Sequence, residues 1–311
     1  MSLRSIAFRF NHRSKVLILL ELKDGKFVVY SDDQIIHVFK KTLCPSYKIK
    51  SINSVIKSMI QTKDEKLICC SYEITILKLY NDHYETVQII KAWTNKIIEI
   101  NDELNNMQLI SSNNNFIRKY QFSSNKNKYE LNKEYDLGKN VNNMLHIKND
   151  DYALILDDYF KHISINIYDM KSFEKIINLY EVKAKESGDM CILKNKYLIV
   201  SFYLYIILID IEDEYKLLHE IKTFFGCVNS FCCLNNNNDN NIIFFSGDDI
   251  GDIIEWKINN NKIIKIKEYN NSKKVINSII NFKLNSWIAT GVINLHLKIY
   301  LYILKYISII E

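Results

Sequence analysis

The feature that most constrains the fold is a pattern that recurs along the whole chain about every 40 to 45 residues. Its clearest copy is SGDDIGDIIEWKI, residues 246–258. There, a small hydroxyl residue ends one apolar run, a turn rich in Gly and Asp follows, and an aromatic residue closes a second apolar run. Recurrence at this period is typical of proteins built from repeated supersecondary units.

The residues that close the second apolar run form one series across seven copies. They are Phe39, Tyr80, Tyr120, Tyr168, Ile209, Trp256 and Tyr300, and successive members are 41, 40, 48, 41, 47 and 44 residues apart. The hydroxyl residues form a second series with a similar period: Ser31, Ser71, Ser111, Ser201, Ser246 and Thr290. One such series could arise by chance in a chain rich in Ile and Tyr, but two in phase are much less expected.

Each copy also begins with an apolar run, such as VNSFCCL at Val228 or INSIINF at Ile276, and ends with a more polar one. A copy therefore reads as four short strands, a to d, separated by turns. Short strands bounded by turn residues, with no long helical periodicity, are typical of an all-β chain. Four-stranded units at this period are typical of propeller blades. We therefore predict an all-β, seven-bladed β-propeller of four-stranded antiparallel blades.

The repeat divides residues 1–311 into a single propeller domain. The predicted units are approximately 11–53, 54–95, 96–140, 141–186, 187–226, 227–274 and 275–311. The segment SIAFRF, within residues 4–10, precedes the first unit and is expected to close the last blade as its outer strand, which would remove an exposed sheet edge. The tail YILKYISII, residues 302–310, competes for that role.

The best copy resembles the WD-repeat family, also called the G-protein-β-like family. The resemblance rests on Ser246-Gly247, then Asp249 and Gly251, then Trp256, while Tyr168-Asp169 and Ile209-Asp210 retain the Asp of the closing pair. It covers the whole chain with degenerate copies: Phe, Tyr or Ile replaces Trp in six of seven units, and the Gly-His pair before the first strand is absent. The resemblance implies that the b–c and d–a loops share one face of the disc.

The seven Cys residues predict a reducing, intracellular environment, cytoplasmic or nuclear. Their number is odd, no CxxC spacing for zinc occurs, and Cys69-Cys70 and Cys232-Cys233 lie inside apolar runs. No secretory leader is expected, because Arg9 and Arg13 interrupt the N-terminal apolar residues. The apolar run 292–310 contains His296, Lys298 and Lys305, so alternating strands explain it better than a membrane anchor.

No arrangement typical of catalysis is found in the sequence, and we expect neither an enzyme nor a cofactor or metal site. Acidic groups occur at Asp157-Asp158, at 212–214 and at Asp248-Asp249. Each falls at a predicted turn or strand end, where a turn-forming role is favoured. The alternative is a propeller enzyme whose acids converge at a central channel.

Basic residues give a formal net charge of +5 but are scattered rather than clustered. Three of the few arginines, Arg4, Arg9 and Arg13, lie near the N-terminus. A second alternative is therefore a nucleic-acid-associated subunit that uses this basic end. A solvated charged terminus is the favoured interpretation.

The sequence favours a WD-repeat-like scaffold or adaptor that mediates protein–protein interactions within a multiprotein complex, with no small-molecule substrate. Rigid blades would present loops to a partner, and aromatic side chains at loops would serve as anchors. The candidate protein-binding residues are Tyr72, Phe160 and Tyr203 at b–c turns and Trp93 near a d–a connection. Fold resemblance alone carries this expectation.

Overall fold

A computed structural model of the chain describes residues 5–10, 16–40, 45–50, 55–80, 83–101, 107–148, 151–158, 162–169, 171–183, 187–223, 226–233, 242–270, 275–282, 287–292 and 297–302. Every helix or strand within these ranges is a β-strand. None of the described residues forms a helix that is long and apolar enough to cross a membrane. The predicted all-β class is confirmed.

Six antiparallel sheets of four consecutive strands form the greater part of the molecule. Blade 1 contains β2 (Val16–Glu21), β3 (Phe27–Ser31), β4 (Ile35–Phe39) and β5 (Pro45–Lys50). Blade 2 contains β6 (Ser58–Gln61), β7 (Leu67–Cys70), β8 (Ile74–Tyr80) and β9 (His83–Ile90). Blade 3 contains β10 (Lys96–Asn101), β11 (Met107–Asn113), β12 (Phe116–Ser123) and β13 (Lys128–Asp136).

The other three complete blades follow in chain order. Blade 4 contains β14 (Asn140–Lys148), β15 (Asp151–Asp157), β16 (Ile163–Asp169) and β17 (Lys175–Val182). Blade 5 contains β18 (Ser187–Leu193), β19 (Tyr197–Phe202), β20 (Tyr205–Asp210) and β21 (Lys216–Lys222). Blade 6 contains β22 (Val228–Cys233), β23 (Ile242–Asp248), β24 (Asp252–Asn259) and β25 (Lys262–Asn270).

The prediction of seven complete blades is wrong for the structure as described, which has six. The last repeat unit forms two separate two-stranded sheets. One pairs β26 (Ile276–Phe282) with β27 (Trp287–Val292), and the other pairs β28 (Leu297–Tyr302) with β1 (Ser5–Phe10). The physical reason is that no hydrogen-bonded ladder joins β27 to β28 within the described residues, although the two strands lie beside each other. The competing tail lies, apart from Tyr302, outside those residues.

The first strands of the repeat units form a closed ring. Each of β2, β6, β10, β14, β18, β22 and β26 lies beside the next, and β26 lies beside β2. The side-chain amide of Asn277 in β26 donates to the carbonyl of Val16 in β2 at 2.8 Å. The start and the end of the repeat array are therefore in direct contact.

The hydrophobic core lies between neighbouring blades rather than at the centre of the disc. The second strands are buried almost throughout, as in β3 and β19, because a neighbouring blade covers each of their faces. Ile155 and Ile165 of blade 4, for example, belong to one buried cluster with Val200 and Ile207 of blade 5. Burial of each such side chain stabilises the fold by about 1.5 to 3 kcal/mol.

The closing residues recur in the structure at one defined position. In every complete blade a β-bulge interrupts the pairing of the third and fourth strands immediately before a buried side chain. These side chains are Phe39, Leu77, Tyr120, Tyr168, Ile209 and Trp256. The prediction that Tyr80 closes the third strand of blade 2 is wrong. Leu77 provides the buried apolar side chain after the bulge, and Tyr80 is half exposed at the end of β8.

The hydroxyl series is less regular than the sequence suggests. Ser111, Ser246 and Thr290 do lie at one register, paired with the first-strand residues Ile97, Phe231 and Ile279 respectively. Ser31 is instead paired with Val16, and in blade 1 the equivalent position belongs to Val29, opposite Leu19. The shared spacing of the hydroxyl residues therefore marks the region near the end of the second strand and not one register position.

The b–c turns and d–a connections share one face, here called the upper face, as the family resemblance implied. Backbone hydrogen bonds join the two kinds of segment directly. Thr94 N–H donates to the Ser71 carbonyl at 2.8 Å, Leu137 N–H to Asn115 at 2.7 Å, and Thr223 N–H to Leu204 at 2.6 Å. These bonds hold the upper loops against the rigid blades.

Candidate functional site

The seven first strands surround a central channel that contains a cavity of about 410 Å³. Its walls alternate apolar residues with polar ones, because five of these strands carry a β-bulge near their start that turns an extra residue inward. Asparagine is common at this inward position, as at Asn142, Asn229 and Asn277. The channel is thus lined largely by amide and hydroxyl groups.

Much of this polar lining links one blade to the next. Ser58 Oγ accepts a hydrogen bond from Ile97 N–H at 3.4 Å, and Ser230 Oγ accepts one from Ile279 N–H at 3.0 Å. In blade 5 a carboxylate has the same role, since Asp189 Oδ2 accepts from Phe231 N–H at 3.1 Å. These side chains are occupied in bracing the ring.

A second set of hydrogen bonds is made by the residues at the first-strand β-bulges. The side-chain amide of Asn229 donates to the carbonyl of Ile276 at 3.4 Å. Asn277 makes the equivalent bond to the carbonyl of Val16, between the last repeat unit and the first. Blade 5 has Gly188 at the equivalent position, and Ser201 Oγ from the neighbouring strand donates to the Val228 carbonyl at 3.1 Å instead. A Cβ on Gly188 would lie 2.1 Å from that hydroxyl oxygen, so the hydroxyl occupies the space of the missing side chain.

The predicted acidic groups lie at strand ends and turns. Asp248 Oδ1 accepts hydrogen bonds from Ile250 N–H at 3.2 Å, Gly251 N–H at 2.9 Å and Asp252 N–H at 2.8 Å. Burial raises the pKa of Asp248 to about 6, despite these donors. Asp249 Oδ1 accepts from Cys227 N–H at 2.9 Å and so fixes the preceding connection.

Within the described ranges, no group of three His, Cys, Asp or Glu residues is placed to hold a metal ion. Asp210 likewise caps a turn, where its Oδ1 accepts from Glu212 N–H at 2.9 Å. In the channel, Asp189 Oδ1 also accepts from the side-chain amide of Asn143 at 3.1 Å. The arrangement of these carboxylates supports turns and blade contacts.

Two of the predicted binding residues, Tyr72 and Trp93, lie side by side on the upper face. Their ring centroids are 5.9 Å apart and the rings are tilted by 38°. The bond from Thr94 N–H to the Ser71 carbonyl places them, because each aromatic residue is adjacent in sequence to one of the bonded residues. Tyr72 is 72% exposed, which is unusually high for a side chain of this size.

The other two predicted residues are not part of this pair. Tyr203 is 46% exposed at the turn between β19 and β20, in blade 5, with a positive φ of 47°. Phe160 lies outside the described residues. The structure therefore brings together two of the four candidates.

Lys57 is a neighbour of the aromatic pair that sequence reasoning missed. Its ammonium lies 5.4 Å from the centroid of the Trp93 ring and donates to Asn95 Oδ1 at 3.2 Å. Such a cation above an indole face is attracted by the ring quadrupole. Lys57 does stand out in the sequence, since it takes the channel position that is Asn in four other units, but this position does not predict the contact with Trp93.

Trp93 also forms one wall of a groove of about 350 Å³ at the junction of blades 2 and 3. Ile90, Ala92 and Leu131 give it apolar sides, and Lys91 and Arg118 are its charged residues. Asn113, at the end of β11, also lines the groove, and its buried Oδ1 has no hydrogen-bond partner. Sequence reasoning missed this groove, because its residues come from separate strands of two blades.

The structure gives no side-chain geometry for the N-terminal arginines that were considered for nucleic-acid binding. Arg4 and Arg13 lie outside the described residues, and of Arg9 only the backbone, paired with Lys298, is described. Nucleic-acid association through this end therefore stays a prediction.

No protein-family model matches the chain, and no curated protein matches it.

Proposed function

We propose that the chain is an intracellular scaffold or adaptor that binds partner proteins on its upper face. The observation that carries this proposal is the contact of the exposed Tyr72 with the half-buried Trp93, with Lys57 beside them. Exposed aromatic residues next to a cation are typical of the anchors that dominate protein interfaces. A role in a multiprotein complex was expected from the sequence, and this pair is its proposed contact surface.

The rigidity of the frame supports this role. A backbone hydrogen bond between Thr94 and Ser71 holds the segments that carry the two aromatic residues together. The hydrogen bond from Ile97 N–H to Ser58 Oγ joins blade 3 to blade 2. A surface held in this way loses little conformational freedom when a partner binds, which favours affinity. The two rings are thus oriented before binding.

We further propose that the propeller has seven sectors and is of the WD-repeat type. The two-stranded sheets β26–β27 and β28–β1 would together make the seventh blade, since β27 lies beside β28 and β26 lies beside β2. The bond between Trp256 Nε1 and Ser246 Oγ, at 2.8 Å, links the two residues that carry the resemblance to that family. Slow hydrogen exchange at the backbone amides of β27 and β28 would support a joined blade, and rapid exchange at both strands would contradict it.

Quantitative affinity purification tests the proposed scaffold role. Tagged wild-type chain and the double variant Tyr72→Ala/Trp93→Ala would be compared by mass spectrometry of the proteins recovered with each. We expect partners that bind the upper face to be lost from the double variant. The matched control is Ile266→Ala, which removes a side chain that is 48% exposed on the outer strand of blade 6. Equal recovery with all three chains would overturn the proposal.

A further inference from the structure

The groove between blades 2 and 3 contains a polar group that lacks a partner. Asn113 is 8% exposed, and its Oδ1 accepts no hydrogen bond. Leaving a buried acceptor unsatisfied costs about 1 to 3 kcal/mol, so each such group in a folded protein calls for an explanation. Asn113 lines the groove, and a rotation of its side chain would present this acceptor to an N–H group of a ligand.

The charged residues that line the groove have one sign. Lys91 is exposed at its edge, Arg118 lies in its wall, and no acidic residue lines it. Glu134, on the neighbouring strand, pairs with Arg118 and partly offsets its charge. Lys57 adds a third cation on the Trp93 side. The groove and its edge therefore favour a negatively charged ligand.

The apolar side formed by blade 3 reaches its outer strand. Leu131 in β13 lines the groove and is 55% exposed. Apolar contact is thus available from Trp93 on the upper face to the outer edge of blade 3. An extended chain can use such a path, with its side chains on the apolar sides and its backbone N–H groups near Asn113.

We infer that this groove binds an extended acidic peptide segment of a partner protein. An apolar side chain of the peptide packs against Trp93, Ala92 and Leu131, a peptide N–H donates to Asn113 Oδ1, and flanking carboxylates face Lys91, Arg118 and Lys57. This inference rests on the proposed scaffold function and specifies the chemistry of the partner.

Panning a random peptide library on the full-length chain tests the inference. We expect enrichment of sequences in which Asp or Glu residues flank an apolar residue. The best enriched peptide, synthesised with a fluorescent label, would then be titrated with wild-type protein and variants by fluorescence anisotropy. Enrichment of no sequence, or of neutral or basic sequences only, overturns the inference.

Two variants separate the contributions of the groove. Asn113→Ala is expected to weaken peptide binding about tenfold, while the free energy of unfolding of the free protein stays unchanged or rises, because an unsatisfied buried acceptor has been removed. A purely structural asparagine would give the opposite change in stability. Lys91→Glu is expected to weaken binding more than tenfold and to reduce its dependence on salt.

The matched control is Lys175→Glu, which makes the same change of charge at an exposed residue on the outer strand of blade 4. Its affinity for the peptide should equal that of the wild type. Equal affinities for all variants overturn the inference. If a labelled oligonucleotide binds with the same dependence on Lys91 and the peptide does not, the ligand is a nucleic acid. If the Tyr72→Ala/Trp93→Ala chain loses partners while the Asn113 and Lys91 variants keep them, the proposed function stands and only this inference fails.

Discussion

The indole N–H of Trp256 donates to the hydroxyl of Ser246 at 2.8 Å inside blade 6. Both side chains are buried, and Trp256 is stacked on Phe244 with ring centroids 6.3 Å apart. The bond joins two neighbouring strands of one blade and fixes the orientation of the largest side chain in its core.

Ser246→Ala should therefore destabilise the protein by about 1 to 3 kcal/mol, because the buried indole N–H loses its acceptor. Adding Trp256→Phe to this variant removes the orphaned donor, so a double-mutant cycle should show coupling between the two positions. Urea unfolding of the four proteins measures both effects. Strictly additive losses would show that the bond contributes little.

Stability should fall as the pH rises through about 6, because burial raises the pKa of Asp248 from 3.8 to about 6. A carboxyl whose pKa is higher in the folded state contributes stability that is complete below pH 4 and is lost as the folded-state group ionises. The change corresponds to about 2 to 3 kcal/mol. Urea unfolding at a series of pH values between 4 and 8 measures this change in the free energy of unfolding.

Asp248→Asn should flatten this pH dependence, since the amide oxygen can still accept from the turn N–H groups without carrying a charge. The variant is expected to be more stable than the wild type at pH 8 and similar to it at pH 4. Asp252→Asn removes a neighbouring charge that also raises the pKa of Asp248, and should flatten the curve less. An unchanged slope in Asp248→Asn would refute this assignment.

Gly188→Ala should cost about 2 to 3 kcal/mol, because the added Cβ meets atoms that cannot all move. It would lie 2.1 Å from Ser201 Oγ, 2.6 Å from the Val228 carbonyl oxygen and 2.8 Å from the Ser201 carbonyl oxygen. Adding Ser201→Ala removes only the first contact. The thermal unfolding midpoint of the double variant should therefore be lower than that of Ser201→Ala alone. Equal midpoints for these two variants would contradict the clash with the backbone.

Cys69, Cys70 and Cys232 should resist thiol reagents in the native protein at pH 8. All three are buried, and burial raises the pKa of each thiol well above its ordinary value, so the reactive thiolate is scarce. Labelling followed by peptide mass spectrometry should find them modified only after unfolding. Rapid labelling of the native chain would mean that blades 2 and 6 open readily.

The sequence predicted the features that depend on local pattern. A closing residue must be large and apolar to fill the space beside the third-strand bulge, so Tyr120, Tyr168 and Trp256 could be recognised by residue type and spacing. Tyr80 was chosen for its aromatic ring, but β8 extends three residues beyond the buried Leu77 before it ends. Aliphatic and aromatic side chains meet the same packing requirement there, and spacing alone did not separate them.

The candidate site was predicted in part for a similar reason. Tyr72 and Trp93 each follow from a turn or connection that residue patterns reveal, and the loop assignment implied that both share a face. The cation on Trp93 comes from Lys57, far away in sequence, and the unsatisfied amide comes from Asn113 in the next blade. Contacts of this kind depend on how adjacent sheets pack, and a single sequence does not encode them as a spacing.

The pairing of β1 with β28 has a consequence for folding during synthesis on the ribosome. Ser5 faces Tyr302 across this ladder, so the partner of the first strand is synthesised only after all six complete blades. Blades 1 to 6 use only sequence neighbours and can form as they emerge from the ribosome, whereas the edge of β1 stays unpaired until β28 has been made. A nascent chain stalled before residue 297 should therefore expose an unpaired strand edge to chaperones, and synthesis of β28 should cover it.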